Sequence, residues 1–305
     1  MNVAVIEAGD LGNTSADLAM YRNEYGLGQG NLYKYNENGQ QSNYPASCQN
    51  YGWCLESALD IDMVSASCPR CNIFLMESKG GISDFEAAEK TAVLLGATIL
   101  SNSWICYGSW DCGDSNFSNY FDTPGVAYLA SSGDAGFDNI GAPSALASVI
   151  AVGGTQLAES DSHYSETLWS DAGYGCASGI PKPSWQHDPD CGYRTIADVS
   201  LESGCSPGVA VYVSIYGGWN GVCGTSVASP FTAGVIGLAG NASSWNANGG
   251  ERFWDLTRSQ HKRYFHHPGT GSDGGCNSYL CGDGRYKKFY SGPGGWGTPD
   301  GIRAY

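Results

Sequence analysis

The sequence has little positive charge, little histidine and no long apolar run. Its 305 residues contain 15 Lys and Arg against 30 Asp and Glu, with five His and a net charge of -15. Such a chain lacks the basic groups that neutralise phosphates, which excludes nucleic acid as a partner. No apolar run approaches the ~20 residues of a membrane span. The 44 glycines follow no three-residue period, which excludes collagen.

What remains is the composition of a globular protein. Apolar residues make up 42% of the chain, which is enough to bury a large core. Length alone allows one or two domains. Because no internal repeat, linker or low-complexity tract interrupts the chain, we predict a single domain over residues 1–305.

Twelve cysteines are many for a reducing compartment and predict disulfides. Sequence does not fix their connectivity. Nearest-neighbour pairing gives Cys48–Cys54, Cys68–Cys71, Cys106–Cys112, Cys176–Cys191, Cys205–Cys223 and Cys276–Cys281. For Cys68 and Cys71 the alternatives are a zinc site, which would need a second ligand pair, and a redox motif, which would open a helix. The predicted disulfides lead us to expect a secreted protein. Because strand-like residues follow Met1 directly, we expect its signal peptide to have been removed, and the alternative is that the cysteines do not indicate the compartment.

Short apolar runs recur along the chain and alternate with helical patterns. Continuous runs of this kind are typical of strands buried on both faces. They lie at Val3–Ile6, Ile73–Met76, Thr98–Leu100, Val126–Ala130, Val149–Val152 and Val209–Val213. One helical pattern begins at Ser83 and ends at Gly96, and another begins at about Ser226. The alternation predicts an α/β fold, a doubly wound, mostly parallel sheet with helices on both faces. Residues 157–192 and 258–297 are predicted to be irregular loops.

The string Gly224-Thr225-Ser226-Val227-Ala228-Ser229-Pro230 is the strongest local signal of chemistry. Small residues allow a sharp turn into an apolar helix, whose first turn places the Ser226 hydroxyl and backbone N–H where partial positive charge favours an oxyanion. Serine at a helix start is often only an N-cap. The length of this string favours a nucleophile.

A serine nucleophile needs a base, and no histidine stands in a suitable helical context. The segment Leu55–Met63 offers a substitute, because Glu56 and Asp60 are one helical turn apart and share a face. Two carboxylates this close repel each other, so the pair is expected to hold one proton in mild acid. Glu56 is therefore a candidate general base that Asp60 orients. Alone, such a pair is usually a solvated helix face.

The third element is Ser131-Ser132-Gly133-Asp134, directly after a predicted strand. An aspartate in a glycine-rich turn is ordinary. Beside a nucleophilic serine, however, a protonated Asp134 would donate a hydrogen bond to the oxyanion of the reaction, whereas an ionised one would repel it.

Glu56, Asp60, Asp134 and Ser226, in this order, resemble the Glu, Asp, Asp and Ser of the sedolisin (serine-carboxyl peptidase) family. The resemblance extends along the chain through Leu59–Ala66, Ser101–Trp104, Lys182–Trp185, Asp198–Ser200 and Gly297–Gly301. It implies a subtilisin-like fold and a secreted endopeptidase that acts in acid on peptide or protein substrates. By the same resemblance, Ser103, Trp104, Ser132 and Gly133 would line the substrate cleft, and a propeptide is expected in the precursor.

Members of this family also bind a calcium ion near the C-terminus. Phe253-Trp254-Asp255-Leu256-Thr257 matches the first part of their motif, which implies Asp255 and the Leu256 carbonyl as ligands. Where the second part has an aspartate, this sequence has Ser291. The loss of one carboxylate weakens a site for a hard cation. Asp273, Asp283 or Asp300 could replace it, and a metal-free loop is the alternative.

Two other functions remain open at this stage. The first is a catalytically silent binding or structural protein with the same fold. The second is a subtilisin-type enzyme that uses an unrecognised histidine.

Overall fold

A mostly parallel sheet with helices on both faces forms the body of the protein. The computed structural model describes residues 1–50, 52–160, 163–189, 191–241, 245, 248–268, 280–281 and 289–305. The strands are β1 (Asn2–Ala8), β2 (Asn31–Asn36), β3 (Asn72–Ser78), β4 (Ile99–Asn102), β5 (Ala127–Ser131), β6 (Val149–Ser160), β7 (His163–Leu168), β8 (Gly175–Pro181), β9 (Tyr193–Ile196), β10 (Val199–Glu202), β11 (Val209–Val213), β12 (Gly218–Val222), β13 (Phe265–His266) and β14 (Thr298–Pro299). The α-helices are α1 (Thr14–Glu24), α2 (Cys54–Ser67), α3 (Ile82–Leu94), α4 (Thr225–Ala239), α5 (Glu251–Trp254) and α6 (Arg258–Tyr264).

The central sheet has eight strands, of which seven run parallel in the order β10-β6-β5-β4-β1-β3-β2. Strand β7 pairs antiparallel with β6. The order reverses direction from β1, since later strands lie on both sides of it. This arrangement confirms the predicted doubly wound, mostly parallel sheet.

Alternate residues of β1 face opposite layers, as the two-residue period of a strand requires. Val3 and Val5 join a core under α2 and α4 that includes Val64 and Ile236. Ala4 and Ile6 point to the other face, against α3. Both faces of the sheet are therefore covered, which explains why its strands read as continuous apolar runs.

Helices α2 and α4 pack closely because small residues meet between them. A Cβ on Gly234 would lie 1.9 Å from Ser67 Oγ, so no larger residue fits there. Ser229 of α4 is tied to Ser101 of β4 by a 2.9 Å hydrogen bond between their hydroxyls. These contacts fix the position of α4 over both α2 and the middle of the sheet.

Some sequence predictions were wrong in detail. The run Val209–Val213 is not a strand of the central sheet but pairs with β12 in an antiparallel hairpin. The predicted loop 157–192 contains the end of β6, all of β7 and β8, and the tail contains α6. Strands β7 and β8 are partly exposed, so they need no apolar run and their sequences resemble loops.

The cysteines form five of the six predicted pairs: Cys48–Cys54, Cys68–Cys71, Cys106–Cys112, Cys176–Cys191 and Cys205–Cys223. For the sixth, Cys276 lies outside the described residues. The disulfide between Cys68 and Cys71 contradicts the zinc alternative. Within the described ranges, no helix is long and apolar enough to cross a membrane.

Buried carboxyl groups should make the stability of this fold depend on pH. Burial raises the pKa of Glu89, which is fully buried on α3, from 4.5 to about 8. A carboxyl with a raised pKa contributes stability that is complete below its unfolded pKa and is lost as pH rises through its folded pKa. Between about pH 4.5 and pH 8 we therefore expect Glu89 to cost on the order of a few kcal/mol of unfolding free energy.

Thermal unfolding followed by circular dichroism at both ends of this pH range tests the expectation. Glu89→Gln removes the ionisable group and should reduce the loss of Tm towards pH 8. Glu24→Gln, at an exposed position on α1, is the matched control. An equal pH dependence in Glu89→Gln and the parent would contradict the assignment.

Candidate active site

The carboxyl ends of three neighbouring strands and the first turns of two helices meet at one edge of the sheet. Strand β1 ends near Glu7, β4 leads into Ser103, and β5 leads into Asp134. Above them, Glu56 lies in the first turn of α2 and Ser226 in the first turn of α4. This edge is where open α/β sheets ordinarily bind ligands.

Ser226 and Glu56 lie next to each other. The Ser226 side chain is partly exposed, as a nucleophile must be. Burial raises the pKa of Glu56 to about 7, a hydrogen bond from Ser226 lowers it, and the charge of Asp134 raises it again. A carboxyl group that titrates near neutrality and contacts a serine hydroxyl is suited to general base catalysis.

Asp60 lies behind Glu56 and is held from two sides. The Ser103 hydroxyl lies 2.9 Å from both Asp60 oxygens, to which it donates. Asp60 also shares a hydrogen bond with Glu7. Ser57 donates to Glu7 Oε2 at 3.2 Å. Burial raises the pKa of Asp60 and of Glu7 well above the ordinary values, and the charge of Glu56 raises both further, so protons remain in this group.

Asp134 lies on the other side of Ser226 and is oriented by Thr225. Its Oδ1 accepts hydrogen bonds from the Thr225 backbone N–H at 2.7 Å and from the Thr225 hydroxyl at 2.8 Å. These two donors leave Oδ2 as the oxygen that can carry a proton. A Cβ on Gly224 would lie 2.7 Å from that oxygen, so glycine is needed at this helix start. Asp134 is exposed by its surface area, but desolvation by the surrounding atoms raises the pKa of its carboxyl and the two Thr225 bonds lower it.

The four residues expected to line the cleft have different surroundings. Ser132 is fully buried, and its N–H donates to Val152 O at 3.0 Å. Gly133 donates its N–H to Thr225 Oγ1 at 3.1 Å. The hydroxyl of Ser103 is engaged with Asp60. The predicted contact of these residues with a peptide therefore falls to backbone atoms.

The Trp104 side chain is buried on the α3 side of the sheet, so the predicted contact of Ser103 and Trp104 with a peptide would involve their backbone. Trp104 is buried and stacks on Phe85, with ring centroids 4.6 Å apart. Phe117 and Phe121 complete the aromatic cluster on the α3 side of the sheet. The motif placed Trp104 beside Ser103, but successive side chains of an extended segment point to opposite faces.

The expected calcium ligands do not by themselves complete a site. Asp255 caps the short helix α5 and is exposed, whereas Ser291 is buried. Among the described residues, no three His, Cys, Asp or Glu side chains converge as a metal site would require. Calcium takes six to eight oxygen ligands. Asp273 and Asp283 lie outside the described residues, so calcium binding stays a prediction.

The histidines have other partners. His261 stacks on Trp296 at 4.0 Å between centroids, His266 lies 3.3 Å from Glu166, and His267 contacts the Phe289 ring. His163 and His187 are exposed. None of the interactions that set the pKa of Glu56 involves a histidine, which argues against the histidine alternative.

Sequence reasoning missed two residues of this site, Glu7 and Thr225. Glu7 ends an otherwise apolar strand and is completely buried. A charged residue at the carboxyl end of a parallel strand is a detectable signal, since that edge collects functional groups. Thr225 was noted only as a small residue in the turn, although it orients Asp134.

One solved structure aligns with nearly the whole chain. No protein-family model matches the sequence. The solved structure of Pseudomonas sedolisin, described as a serine-carboxyl proteinase complexed with two molecules of pseudo-iodotyrostatin, aligns with a TM-score of 0.81 and 25% identity over 98% of this chain and 90% of that one. Curated sedolisin from Pseudomonas sp. (strain 101) is 24% identical over 81% of this chain. The chain spans 47% of that relative's length.

More distant structures share the fold alone. A lanthipeptide protease aligns with a TM-score of 0.59 and 15% identity over 99% of this chain and 85% of that one. These alignments confirm the subtilisin-like fold and the resemblance to sedolisin that the motifs predicted.

The charge of Asp134 acts on Glu56, so the variant Asp134→Asn should lower the pKa of Glu56. The cause is electrostatic, because a nearby negative charge raises the pKa of a carboxyl group and its removal reverses the effect. We expect a decrease of about half a unit to one unit. Carboxyl carbon chemical shifts followed over a pH titration would measure it.

Asp138→Asn is the matched control, since Asp138 is exposed on the same loop. It should leave the titration of Glu56 unchanged. An unchanged pKa in Asp134→Asn would contradict the proximity of the two carboxyl groups.

Proposed function

We propose that this chain, which resembles sedolisin in fold and sequence, is a serine-type endopeptidase that hydrolyses peptide bonds in acid. The observation that carries the proposal is the contact of Ser226 with Glu56, with Asp134 near enough to act on the same carboxyl. The serine is partly exposed and the base has a pKa of about 7. The matching residues of the sedolisin family support the same reading.

Ser226 attacks the carbonyl carbon of the scissile peptide bond while Glu56 takes the hydroxyl proton. The resulting negative oxygen accepts hydrogen bonds from the Ser226 backbone N–H and from Asp134 Oδ2–H. Glu56 then gives its proton to the leaving amine, and the acyl-enzyme forms. Water, deprotonated by Glu56, releases the acid product by the reverse sequence.

Asp60 and Glu7 support Glu56 without contacting the substrate. Asp60 is fixed by the Ser103 hydroxyl, and Glu7 is fixed by Ser57. Their shared protons keep two further charges away from Glu56, because ionisation of the whole group is opposed by burial and mutual repulsion. We expect them to orient the Glu56 carboxyl towards Ser226.

The proposed chemistry needs Glu56 ionised and Asp134 protonated at the same time. The pKa of Glu56 is about 7, and the pKa of Asp134 is raised above its ordinary value. The pair holds one proton between its two apparent pKa values, and the active form is the arrangement with that proton on Asp134. Its population is constant between the two pKa values and falls on either side, which gives a bell-shaped pH profile.

The precursor and its compartment are part of the proposal. Five disulfides among the described cysteines are typical of an oxidising environment. We infer secretion and a peptide or protein substrate. From the resemblance to the sedolisin family we also expect a precursor with a propeptide.

Hydrolysis of an unstructured protein such as denatured casein, measured from pH 3 to pH 8, tests the nucleophile. Activity should peak below about pH 7 and should fall by at least about a thousandfold in Ser226→Ala, because the acyl-enzyme cannot form. Ser83→Ala, at an exposed serine on α3, is the matched control and should stay active. Activity that survives Ser226→Ala would contradict the mechanism, and a parent inactive at every pH would favour the silent binding protein.

The shape of the pH profile in Asp134→Asn tests the shared proton. An asparagine amide donates to the oxyanion at any pH, so only the ionisation of Glu56 should then limit the rate. We expect kcat/KM of this variant to rise with pH and level off near neutrality, where the parent declines. Asp138→Asn should keep the bell shape. A bell-shaped profile in Asp134→Asn would refute the role given to Asp134.

A further inference from the structure

A small loop closed by a disulfide stands at the edge of the candidate site. Cys106 and Cys112 bound the loop, which begins two residues after Trp104. Its first residue is tied to the neighbouring segment by a 2.9 Å hydrogen bond from Cys106 N to Ala142 O. Its far side is fixed by Trp110, whose Nε1–H donates to Ser178 O at 2.6 Å. The backbone of this loop is therefore held at three points.

Tyr107 projects from this loop over the turn that carries Asp134. A Cβ built on Gly133 would lie 3.8 Å from the Tyr107 hydroxyl oxygen and 3.1 Å from Asn139 O. Gly133 has a φ of +112°, which favours glycine. Because glycine has no side chain, nothing at this position separates the tyrosine from the turn. Tyr107 thus lies beside the proposed oxyanion donor.

The surroundings of Tyr107 leave its side chain available to a ligand. It is 58% exposed, and within the described part of the chain its ring stacks on no other ring and its hydroxyl has no hydrogen-bond partner. A cavity of about 260 Å³ lies at the same loop, and the residues on either side of the tyrosine, Cys106 and Gly108, line it. An exposed aromatic on a fixed backbone has few torsions to lose on binding.

The Tyr107 hydroxyl keeps its proton and can therefore donate a hydrogen bond. Partial burial and the charge of Asp134 both raise the pKa of Tyr107. The hydroxyl therefore stays protonated throughout the acid and neutral range, unlike the Asp134 carboxyl beside it.

We propose that Tyr107 is a specificity-determining residue: its ring packs against an apolar side chain of the bound peptide, and its hydroxyl donates a hydrogen bond to that peptide beside Asp134. The inference rests on the proposed peptidase function, because the peptide must place its scissile carbonyl between Asp134 and Ser226. From that position the neighbouring peptide residue passes under the tyrosine ring. An aromatic ring offers an apolar face and a polar tip to such a contact.

Binding to an inactive variant separates this contact from the chemistry. In a Ser226→Ala background, a fluorescent hexapeptide with a central phenylalanine should bind roughly tenfold more weakly after Tyr107→Ala. The same peptide with alanine in place of phenylalanine should lose about twofold or less. Equal affinities with and without Tyr107 for the phenylalanine peptide would overturn the proposal. No peptide binding to Ser226→Ala at all would overturn it together with the proposed function.

Kinetics of the active enzyme give the second readout. Tyr107→Ala should raise KM for the phenylalanine peptide by about tenfold and change kcat by less than about threefold, because the contact acts on the ground state and the transition state alike. Tyr107→Phe keeps the ring and should lose only the smaller hydroxyl contribution. Tyr164→Ala, at an exposed tyrosine on β7, is the matched control and should change neither constant.

The outcomes distinguish the two proposals. Hydrolysis by the parent with unchanged KM in Tyr107→Ala would reject the role of Tyr107 and leave the peptidase intact. An equal loss of kcat and kcat/KM would assign Tyr107 to the transition state and would likewise contradict a role in specificity. A parent that cleaves no peptide would reject the peptidase itself.

Discussion

Carboxyl groups that are buried side by side cannot all be ionised, and the structure around Ser226 depends on that constraint. Glu56 and Asp60 of α2 meet Glu7 of β1, and the charge of Glu56 raises the pKa of both Asp60 and Glu7. Serine hydroxyls from Ser57 and Ser103 complete the hydrogen bonding without adding charge. Helix α2 can lie over the end of β1 only because this group retains protons.

Within the described part of the chain, no positively charged side chain acts on these buried carboxyl groups. None of the interactions that set the pKa of Glu56, Asp60 or Glu7 involves a lysine or arginine. A cation there would hold Glu56 ionised and lower its pKa, which would make it a weaker base. Buried cations stand elsewhere, as in the pair of Arg194 and Asp198, where Nη1 lies 2.9 Å from Oδ1. The few Lys and Arg residues behind the net charge of -15 are therefore compatible with a site whose chemistry needs no positive group.

The sequence was informative where chemistry and local geometry coincide. Glu56 and Asp60 share a helix face by spacing alone, and the string around Ser226 marks the turn into α4. Glu7 could not be found in this way, because its contact with Asp60 arises from the pairing of distant elements. The motif named Trp104 beside Ser103, but it could not give the face to which each side chain points. Strands β7 and β8 were missed because exposed strands carry no apolar run.

Aspartate at position 134 limits the pH range of the proposed activity. Acyl transfer itself does not require an aspartate there. An amide held by the same Thr225 donors could also polarise a carbonyl, since Oδ1 would still accept both bonds and the nitrogen would donate at any pH. Aspartate adds a second titrating group beside Glu56, whose pKa is about 7. The loss of the shared proton above that pH removes the donor and repels the developing oxyanion at once. One residue type therefore makes the proposed activity depend on acid, while the base, the nucleophile and the helix start stay the same.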